Sequence, residues 1–151
     1  MAKLVEEVAA YIEKSQALIG DINIEHVQND IDHYFNLTPK DIDNMDKQEC
    51  QYAQYFILQF SMSLTKKINR VKWALSANNK EFNRAIASVY NNYNSYNGQE
   101  VVKASACQEY SHLRELDDEI TKLEGLIQEW EYISTKAEKL AAVFRDISFS
   151  K

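Results

Sequence analysis

Residues 46–98 read DKQECQYAQYFILQFSMSLTKKINRVKWALSANNKEFNRAIASVYNNYNSYNG. From Ala53 onward, apolar positions recur every three or four residues, with no Gly or Pro before Gly98. This spacing predicts one helix of about fifty residues, about 75 Å long. Its inner positions form a heptad-like seam, and a seam of that length needs a partner helix. They are Ala53, Ile57, Phe60, Leu64, Ile68, Val71, Leu75, Asn78, Phe82, Ala85, Val89, Tyr93 and Tyr96.

The partner is predicted in the second half of the chain. Residues 91–98 are rich in Asn and end in Gly, which tolerate the left-handed conformation, so we expect the long helix to turn there. A second long helix is predicted from Glu100 to Arg145. The two helices predict an all-α fold built on a long antiparallel, coiled-coil-like hairpin. The second seam comprises Leu113, Leu116, Ile120, Leu123, Ile127, Trp130, Ser134, Ala137, Leu140 or Ala141, and Phe144.

The first 45 residues predict smaller helices. Apolar spacing indicates a helix from Lys3 to Ile19, with Gly20 as its C-cap, and a short helix around Glu25–Tyr34. We expect these N-terminal helices to pack at the open end of the hairpin. There the long helix is apolar on more than one side, so a single partner would leave apolar surface uncovered.

Two capping patterns precede the long helix. Thr38 followed by Pro39 is typical of an N-cap with Pro at the first helical position, which predicts a single turn over Lys40–Met45. Asp46 and Glu49 have the spacing of a capping box, with Asp in place of the usual Ser or Thr. The long helix is therefore expected to begin at Asp46.

Composition indicates one domain. The chain has 151 residues, 45% of them hydrophobic, and only three Gly and one Pro, which argues against sandwiches, barrels and Gly-rich phosphate loops. We predict an N-terminal segment (1–45), the long helix (46–98) and a return helix with its tail (99–151).

There is no apolar run of eighteen residues and no signal-peptide core, and the two Cys suit a reducing compartment. We expect a soluble cytoplasmic protein without membrane contact, in the host cytoplasm if a phage encodes it.

The net charge of −6 is unevenly distributed. Residues 1–50 carry four Lys and eleven acids, a net −7, and residues 104–151 carry six basic and ten acidic residues, a net −4. Residues 51–103 carry seven Lys and Arg against two Glu, a net +5. Two interpretations remain open. The acidic ends could lie against the basic middle, or the middle could be a patch for a polyanion.

The face of the long helix opposite the seam has a pattern of its own. Four cations over about 27 Å of helix suit several phosphates, and an indole among them offers a plane for a base, worth about 1–3 kcal/mol per stacked base. This is typical of sequence-tolerant single-strand binding, whose affinity falls steeply with salt. The alternative is a solvated helix face, or an interface in which the aromatic residue is covered by another helix. The stripe comprises Lys66, Arg70, Trp73, Lys80 and Arg84, with Lys67 widening it and Tyr55 and Met62 continuing it upstream.

Catalytic and metal sites are not indicated. His26, His33 and His112 have no Cys or second His at ligand spacing, and the acids at 117–119 point in different directions around a helix. No Ser lies in a nucleophile-elbow context, and no Gly-rich loop could cradle a phosphate. We predict a protein that is not an enzyme and that uses no cofactor or metal.

In its basic-aromatic stripe and in the order of its predicted helices, the chain resembles the UvsY-like recombination mediators of tailed phages. The resemblance spans residues 48–151. It follows the order of a long basic-aromatic helix, a Tyr/Asn-rich turn and an acidic C-terminal helix with a short aromatic tail. The matching stretches are Glu49-Cys50-Gln51-Tyr52-Ala53, the segment Lys66–Arg70–Trp73, Arg84-Ala85-Ile86 with Tyr90 and Tyr93, and Arg145-Asp146-Ile147-Ser148-Phe149.

The resemblance implies a function. It implies a ring-like homo-oligomer of hairpins that binds single-stranded DNA, contacts a single-strand-binding protein and helps load a RecA-like recombinase, without catalysing a reaction. It also implies roles for individual residues: Lys66, Lys67, Arg70, Lys80 and Arg84 would bind phosphates, and Trp73 and Tyr90 would stack on bases. The alternative is a structural or adaptor protein, such as a phage assembly factor or an inhibitor of a host protein. In that case Tyr55, Met62 and Trp73 would anchor a protein interface.

Overall fold

A computed structural model describes residues 2–20, 31–93 and 98–151 of the chain. These residues contain no β-strand, and the prediction of an all-α fold is confirmed. The long helix α4 packs against the long C-terminal helix α6, as the predicted hairpin requires. The helices are α1 (Ala2–Gly20), helical residues 31–35 (α2), α3 (Pro39–Asp43), α4 (Lys47–Val89), a 3-10 turn (Tyr90–Asn92), α5 (Gln99–Glu109) and α6 (Ser111–Ser150).

Contacts between residues divide the chain into two compact units. The first unit consists of Met1–Asp21 and Arg70–Ile127, and the second of Ile22–Asn69 and Gln128–Lys151. Each unit takes one part of α4 and one part of α6. The single domain of 151 residues stays a prediction. Among the described helices, none combines the length and the apolar character that a membrane span requires.

The core of the first unit is formed by α1, α4, α5 and α6. Val8 of α1 is buried against the α4 and α6 side chains, so α1 packs in the unit that contains the turn. The expectation that α1 packs at the open end is therefore wrong. Ala85 and Ile86 make α4 apolar on two sides here. Since α6 packs along the seam, the second apolar side must be covered by another helix. The buried cluster comprises Val8, Phe82, Ala85, Ile86, Val89, Ala106, Leu113, Leu116 and Ile120.

The second unit contains the open end of the hairpin and the segment 31–45. Ile31 is fully buried, and the Tyr34 ring lies 5.4 Å from the ring of Phe56 and 6.2 Å from that of Phe144. Edge-on and tilted aromatic contacts at these distances are favourable. The placement of α2 at the open end is confirmed by these contacts. Residues 31–34 of the predicted helix Glu25–Tyr34 are helical, and the rest of it lies outside the described residues.

Both predicted N-caps, Thr38 and Asp46, are present. The Thr38 side chain accepts a hydrogen bond from the Asp41 amide at 3.2 Å, and Asp41 accepts one from the Thr38 amide at 2.9 Å. This capping box starts α3, which is shorter than the predicted turn over Lys40–Met45. Asp46 Oδ1 accepts a hydrogen bond from the Glu49 amide at 2.7 Å and so caps α4.

The seam predictions are confirmed for the described residues of α4 and α6. On α4 every predicted position from Ala53 to Val89 is buried except Leu75, which is partly buried. On α6 every position is buried, and Ala141 rather than Leu140 occupies the alternative one. Within the second unit the Ser61 and Ser134 hydroxyl oxygens lie 3.0 Å apart, which satisfies two buried polar groups at once.

The long helix is shorter than predicted. It ends at Val89 and passes into a 3-10 turn, and Tyr93 has an extended backbone with φ −118° and ψ 158°. The Asn-rich sequence explains the early end, because Asn side chains compete with the backbone for hydrogen bonds. Beyond the end of α4, the Asn92 side chain donates a hydrogen bond to the side-chain hydroxyl of Tyr110 at 3.2 Å. Tyr96, the last predicted seam residue, lies outside the described residues.

The predicted return helix Glu100–Arg145 is two helices separated at Tyr110. Tyr110 has an extended backbone with φ −111° and ψ 112°, and its side chain packs against the core of the first unit. The carbonyls at the end of α5 are not left unpaired. Arg114 donates to the carbonyls of Cys107 at 3.1 Å and Gln108 at 3.4 Å. The break was not predicted because it involves neither Gly nor Pro, and its hydrogen bonds come from a side chain in the next helix.

Candidate nucleic-acid interface

The outward side of α4 in the first unit carries an exposed indole between cations. Trp73 is 85% exposed, and Arg70 and Lys80 are also exposed. Val71 and Ala74, which lie close to Trp73 on α4, are buried. The packing of α4 therefore fixes the direction in which Trp73 points. We call Arg70, Trp73, Lys80 and Arg84 the basic-aromatic face. From Arg70 to Arg84 it extends about 21 Å along the helix.

The cations of this face differ in whether the protein already neutralises them. Within the described part of the chain, no hydrogen bond or ion pair engages the Arg70 or Lys80 side chain. No described residue therefore competes with an anion for either of them. An indole with little protein contact, flanked by two such cations, can offer its ring face to a base while the cations hold phosphates.

Arg84, by contrast, is paired with two carboxylates. Its guanidinium donates to Glu7 of α1 and to Glu81 at 2.7 Å. The hydrogen bonds with Glu81 and Glu7 raise the pKa of Arg84 above its usual value. The proposed match between an acidic N-terminal segment and the basic helix is therefore present at this residue.

Arg84 and Lys80 share a shallow concavity with α1. It has a volume of about 420 Å³ and is lined by Lys14 and Glu7 of α1 and by Lys80, Glu81 and Arg84 of α4. Glu81 is almost fully buried, whereas Lys80 remains exposed. The acids of this concavity compete with any anionic ligand for its cations.

Tyr90 and Trp73 have different surroundings. It belongs to the 3-10 turn, is half-buried and packs against the core cluster of the first unit. It lines a different concavity, together with Asn83 of α4 and Lys103 of α5. The structure therefore does not join Tyr90 to the predicted stripe as a second stacking residue beside Trp73.

Lys66 and Lys67 belong to the second unit. Lys66 is exposed and Lys67 is partly buried, and within the described residues neither side chain forms an ion pair. The same part of α4 exposes Tyr55 (61%) and Met62 (66%). The Tyr55 hydroxyl accepts a hydrogen bond from Gln59 at 2.7 Å, and Tyr52 and Leu58 are exposed nearby on the helix.

The His and acidic residues considered in the sequence do not form a common site among the described residues. Among the described residues, no group of three or more His, Cys, Asp or Glu side chains is placed to hold a metal ion. His112 is buried, and burial lowers the pKa of its imidazole. The ring of His33 packs against the ring of Tyr34 at 5.3 Å. His26 lies outside the described residues.

Two features of the site were missed in the sequence. The Glu81–Arg84 pair has the i, i+3 spacing of a helical ion pair and could have been recognised. The Glu7–Arg84 pair joins residues 77 positions apart, and nothing in the sequence signals it. The concavity that Tyr90 lines was also not predicted, because it depends on where Gln99 and Lys103 of α5 lie relative to α4.

Comparison of the chain with models of known protein families, with curated proteins and with solved structures found no match. The resemblance to UvsY-like mediators stays a prediction, and the functional argument depends on the residues themselves.

Proposed function

We propose that this protein is a non-enzymatic accessory factor that binds single-stranded nucleic acid through the basic-aromatic face. The observation that carries the proposal is Trp73, 85% exposed between Arg70 and Lys80, two cations that no described residue pairs. A ring with this exposure is available for stacking on a flat ligand. A ligand with flat aromatic groups and a regular negative charge satisfies both the ring and the cations.

Recognition by this face would be insensitive to sequence. The described side chains on it are cations and one indole, which read phosphates and ring planes rather than base edges. Single strands present their bases for stacking, whereas a duplex hides them. We therefore infer a preference for single-stranded over double-stranded DNA. Lys66 and Lys67, which belong to the second unit, would bind phosphates there.

The role we propose for this binding is that of a recombination or replication mediator. In that role the protein would help load a RecA-like recombinase on single-stranded DNA and contact a single-strand-binding protein. It would act as a homo-oligomer. These partners follow from the resemblance in the helix order and in the stretches around Trp73 and Arg84, and the acidic segments would suit basic surfaces of such partners.

The decisive experiment is a fluorescence anisotropy titration of oligo-dT at two salt concentrations. We expect binding at about 50 mM salt that weakens steeply at about 200 mM, because phosphate contacts dominate. Trp73→Ala should weaken binding roughly five- to hundred-fold if one base stacks on the indole. Tyr132→Ala is the matched control, because Tyr132 is an exposed aromatic residue on α6. No binding by the unmodified protein at the lower salt would rule the proposal out.

A second candidate is an adaptor that acts only through protein contacts. The exposure of Tyr55 and Met62 in the second unit favours it, since Tyr and Met are common anchors of protein interfaces. Light scattering separates the two candidates. Loss of assembly in Trp73→Ala with unchanged oligo-dT binding would assign Trp73 to a protein interface instead.

A further inference from the structure

A concavity of about 590 Å³ lies in the first unit where α4, the 3-10 turn and α5 meet. Its volume falls within the range of small-molecule sites, about 300–1,000 Å³. The side chains that give it its chemistry are Asn83, Ile86, Tyr90, Asn91, Gln99 and Lys103. All of them belong to described residues of one unit.

The apolar part of the concavity is held by the core. Ile86 is buried in the hydrophobic cluster, and Tyr90 packs against the same cluster while it also lines the concavity. One part of the Tyr90 side chain is therefore fixed by packing, and another part faces the open volume. A ring fixed in this way can stack on a ligand without losing much side-chain freedom.

The polar part consists of exposed carboxamide groups that no described residue binds. Asn83, Asn91 and Gln99 each carry a carboxamide with donors and an acceptor, and none of the three is hydrogen-bonded within the described chain. Carboxamides pair well with base edges, which alternate donors and acceptors. The partly buried cation of Lys103 completes the lining and suits a phosphate.

The concavity adjoins the basic-aromatic face along α4. Lys80, Asn83 and Ala87 follow one another at i, i+3 and i+7, so they are neighbours on the helix surface. Lys80 belongs to the basic-aromatic face, and Asn83 and Ala87 line the concavity. Asn83 lies about 15 Å along the helix from Trp73. A strand that follows Trp73 and Lys80 reaches the concavity without leaving α4.

We propose that this concavity binds one nucleotide unit of a single strand held on the basic-aromatic face. Tyr90 stacks on the base, the carboxamides of Asn83, Asn91 and Gln99 hydrogen-bond to its edge, and Lys103 binds the adjacent phosphate. This inference rests on the proposed function. To the stacking role that the resemblance implies for Tyr90, it adds a binding concavity and a contact that depends on the identity of the base.

The test uses two substitutions at Tyr90 in the full chain. Tyr90→Phe keeps the ring and should bind oligo-dT as the unmodified protein does. Tyr90→Leu keeps an apolar side chain against the core but removes the ring, so we expect a roughly five- to hundred-fold loss of affinity. Circular dichroism of both variants should show unchanged helix content.

Two further measurements separate this inference from the proposed function. A strand of abasic sites carries the phosphates without the bases, and Tyr90→Leu should bind it as tightly as the unmodified protein does. A photoreactive 5-iodouracil strand should cross-link to Tyr90. If Tyr90→Leu binds oligo-dT normally and no cross-link forms at Tyr90, the concavity is not a base site, although the proposed function stands. If the unmodified protein binds no strand, both fail together.

Discussion

The Arg84 guanidinium binds the Glu7 carboxylate, so a contact between residues 77 positions apart connects α1 to the basic-aromatic face of α4. Glu81 binds the same guanidinium from within α4. Two carboxylates therefore surround one cation of the face that we propose for phosphate binding. A phosphate that approaches Arg84 must compete with both of them.

Release of Arg84 from α1 should strengthen nucleic-acid binding. Glu7→Gln removes the negative charge but keeps the size of the side chain, so we expect oligo-dT to bind a few-fold more tightly. The slope of log affinity against log salt should become steeper by up to about one, because one more phosphate contact forms. Anisotropy titrations over a salt series measure both quantities.

The matched control for Glu7 is Glu6→Gln. Glu6 is exposed, no ion pair joins it to Arg84, and Glu6→Gln makes the same change in net charge. Equal tightening in both variants would mean that only the overall charge matters. Unchanged affinity in Glu7→Gln would mean that Arg84 does not contribute to the interface.

Reversal of two cations should abolish binding without unfolding the protein. The double variant combines Lys66→Glu with Arg70→Glu. Both residues are exposed and neither forms an ion pair with a described residue, so helix content should stay constant. We expect oligo-dT affinity to fall below detection at about 50 mM salt. The control combines Lys122→Glu with Lys139→Glu, which reverses two exposed cations of α6. An affinity that is the same in both double variants would place the binding surface elsewhere.

The hairpin could be predicted because its buried positions repeat regularly along the sequence. The positions from Ala53 to Val89 and from Leu113 to Phe144 repeat every three or four residues, and burial follows that repeat closely. The end of α4 and the break at Tyr110 were not predictable in the same way. The end of α4 depends on the Asn residues that follow it, and the break at Tyr110 on hydrogen bonds from Arg114 to carbonyls of α5. Periodicity carries no information about either.

The candidate site was predictable in its exposed part only. Helical spacing alone placed Trp73 on the surface opposite the seam, because the direction of a side chain on a helix follows from its position. The pairing of Arg84 depends on where α1 packs, and the sequence predicted the wrong end of the hairpin for α1. The surroundings of Tyr90 depend in the same way on α5.

The packing at the open end predicts where the second unit is sensitive to mutation. Phe144 is fully buried and lies against the Tyr34 ring, so Phe144→Ala should lower the free energy of unfolding by about 3–5 kcal/mol. Phe149→Ala, five residues along the same helix, should change it by less than about 0.5 kcal/mol because Phe149 is exposed. Chemical denaturation monitored by circular dichroism measures both values. Similar losses in the two variants would contradict the packing described for α6.

His112 predicts how stability depends on pH. The side chain is only 7% exposed, and burial lowers the pKa of its imidazole below the usual 6.5, against the attraction of nearby Glu115. Its Nε2 atom finds no hydrogen-bond partner among the described residues. The unfolded chain therefore binds a proton at His112 more readily than the folded protein does. This contribution to stability is complete above about pH 6.5 and is lost as the pH falls through 6.5 toward the lowered pKa.

We expect the free energy of unfolding to fall by up to about 1.4 kcal/mol per pH unit on this account as the pH drops below 6.5. His112→Gln cannot titrate, so its stability should depend less on pH in that window, whatever its stability at pH 8. His33→Gln is the control, because it makes the same substitution at an exposed position. Denaturation at intervals between pH 8 and pH 5.5 measures the slopes. A slope in His112→Gln equal to that of the unmodified protein would show that His112 does not cause the dependence.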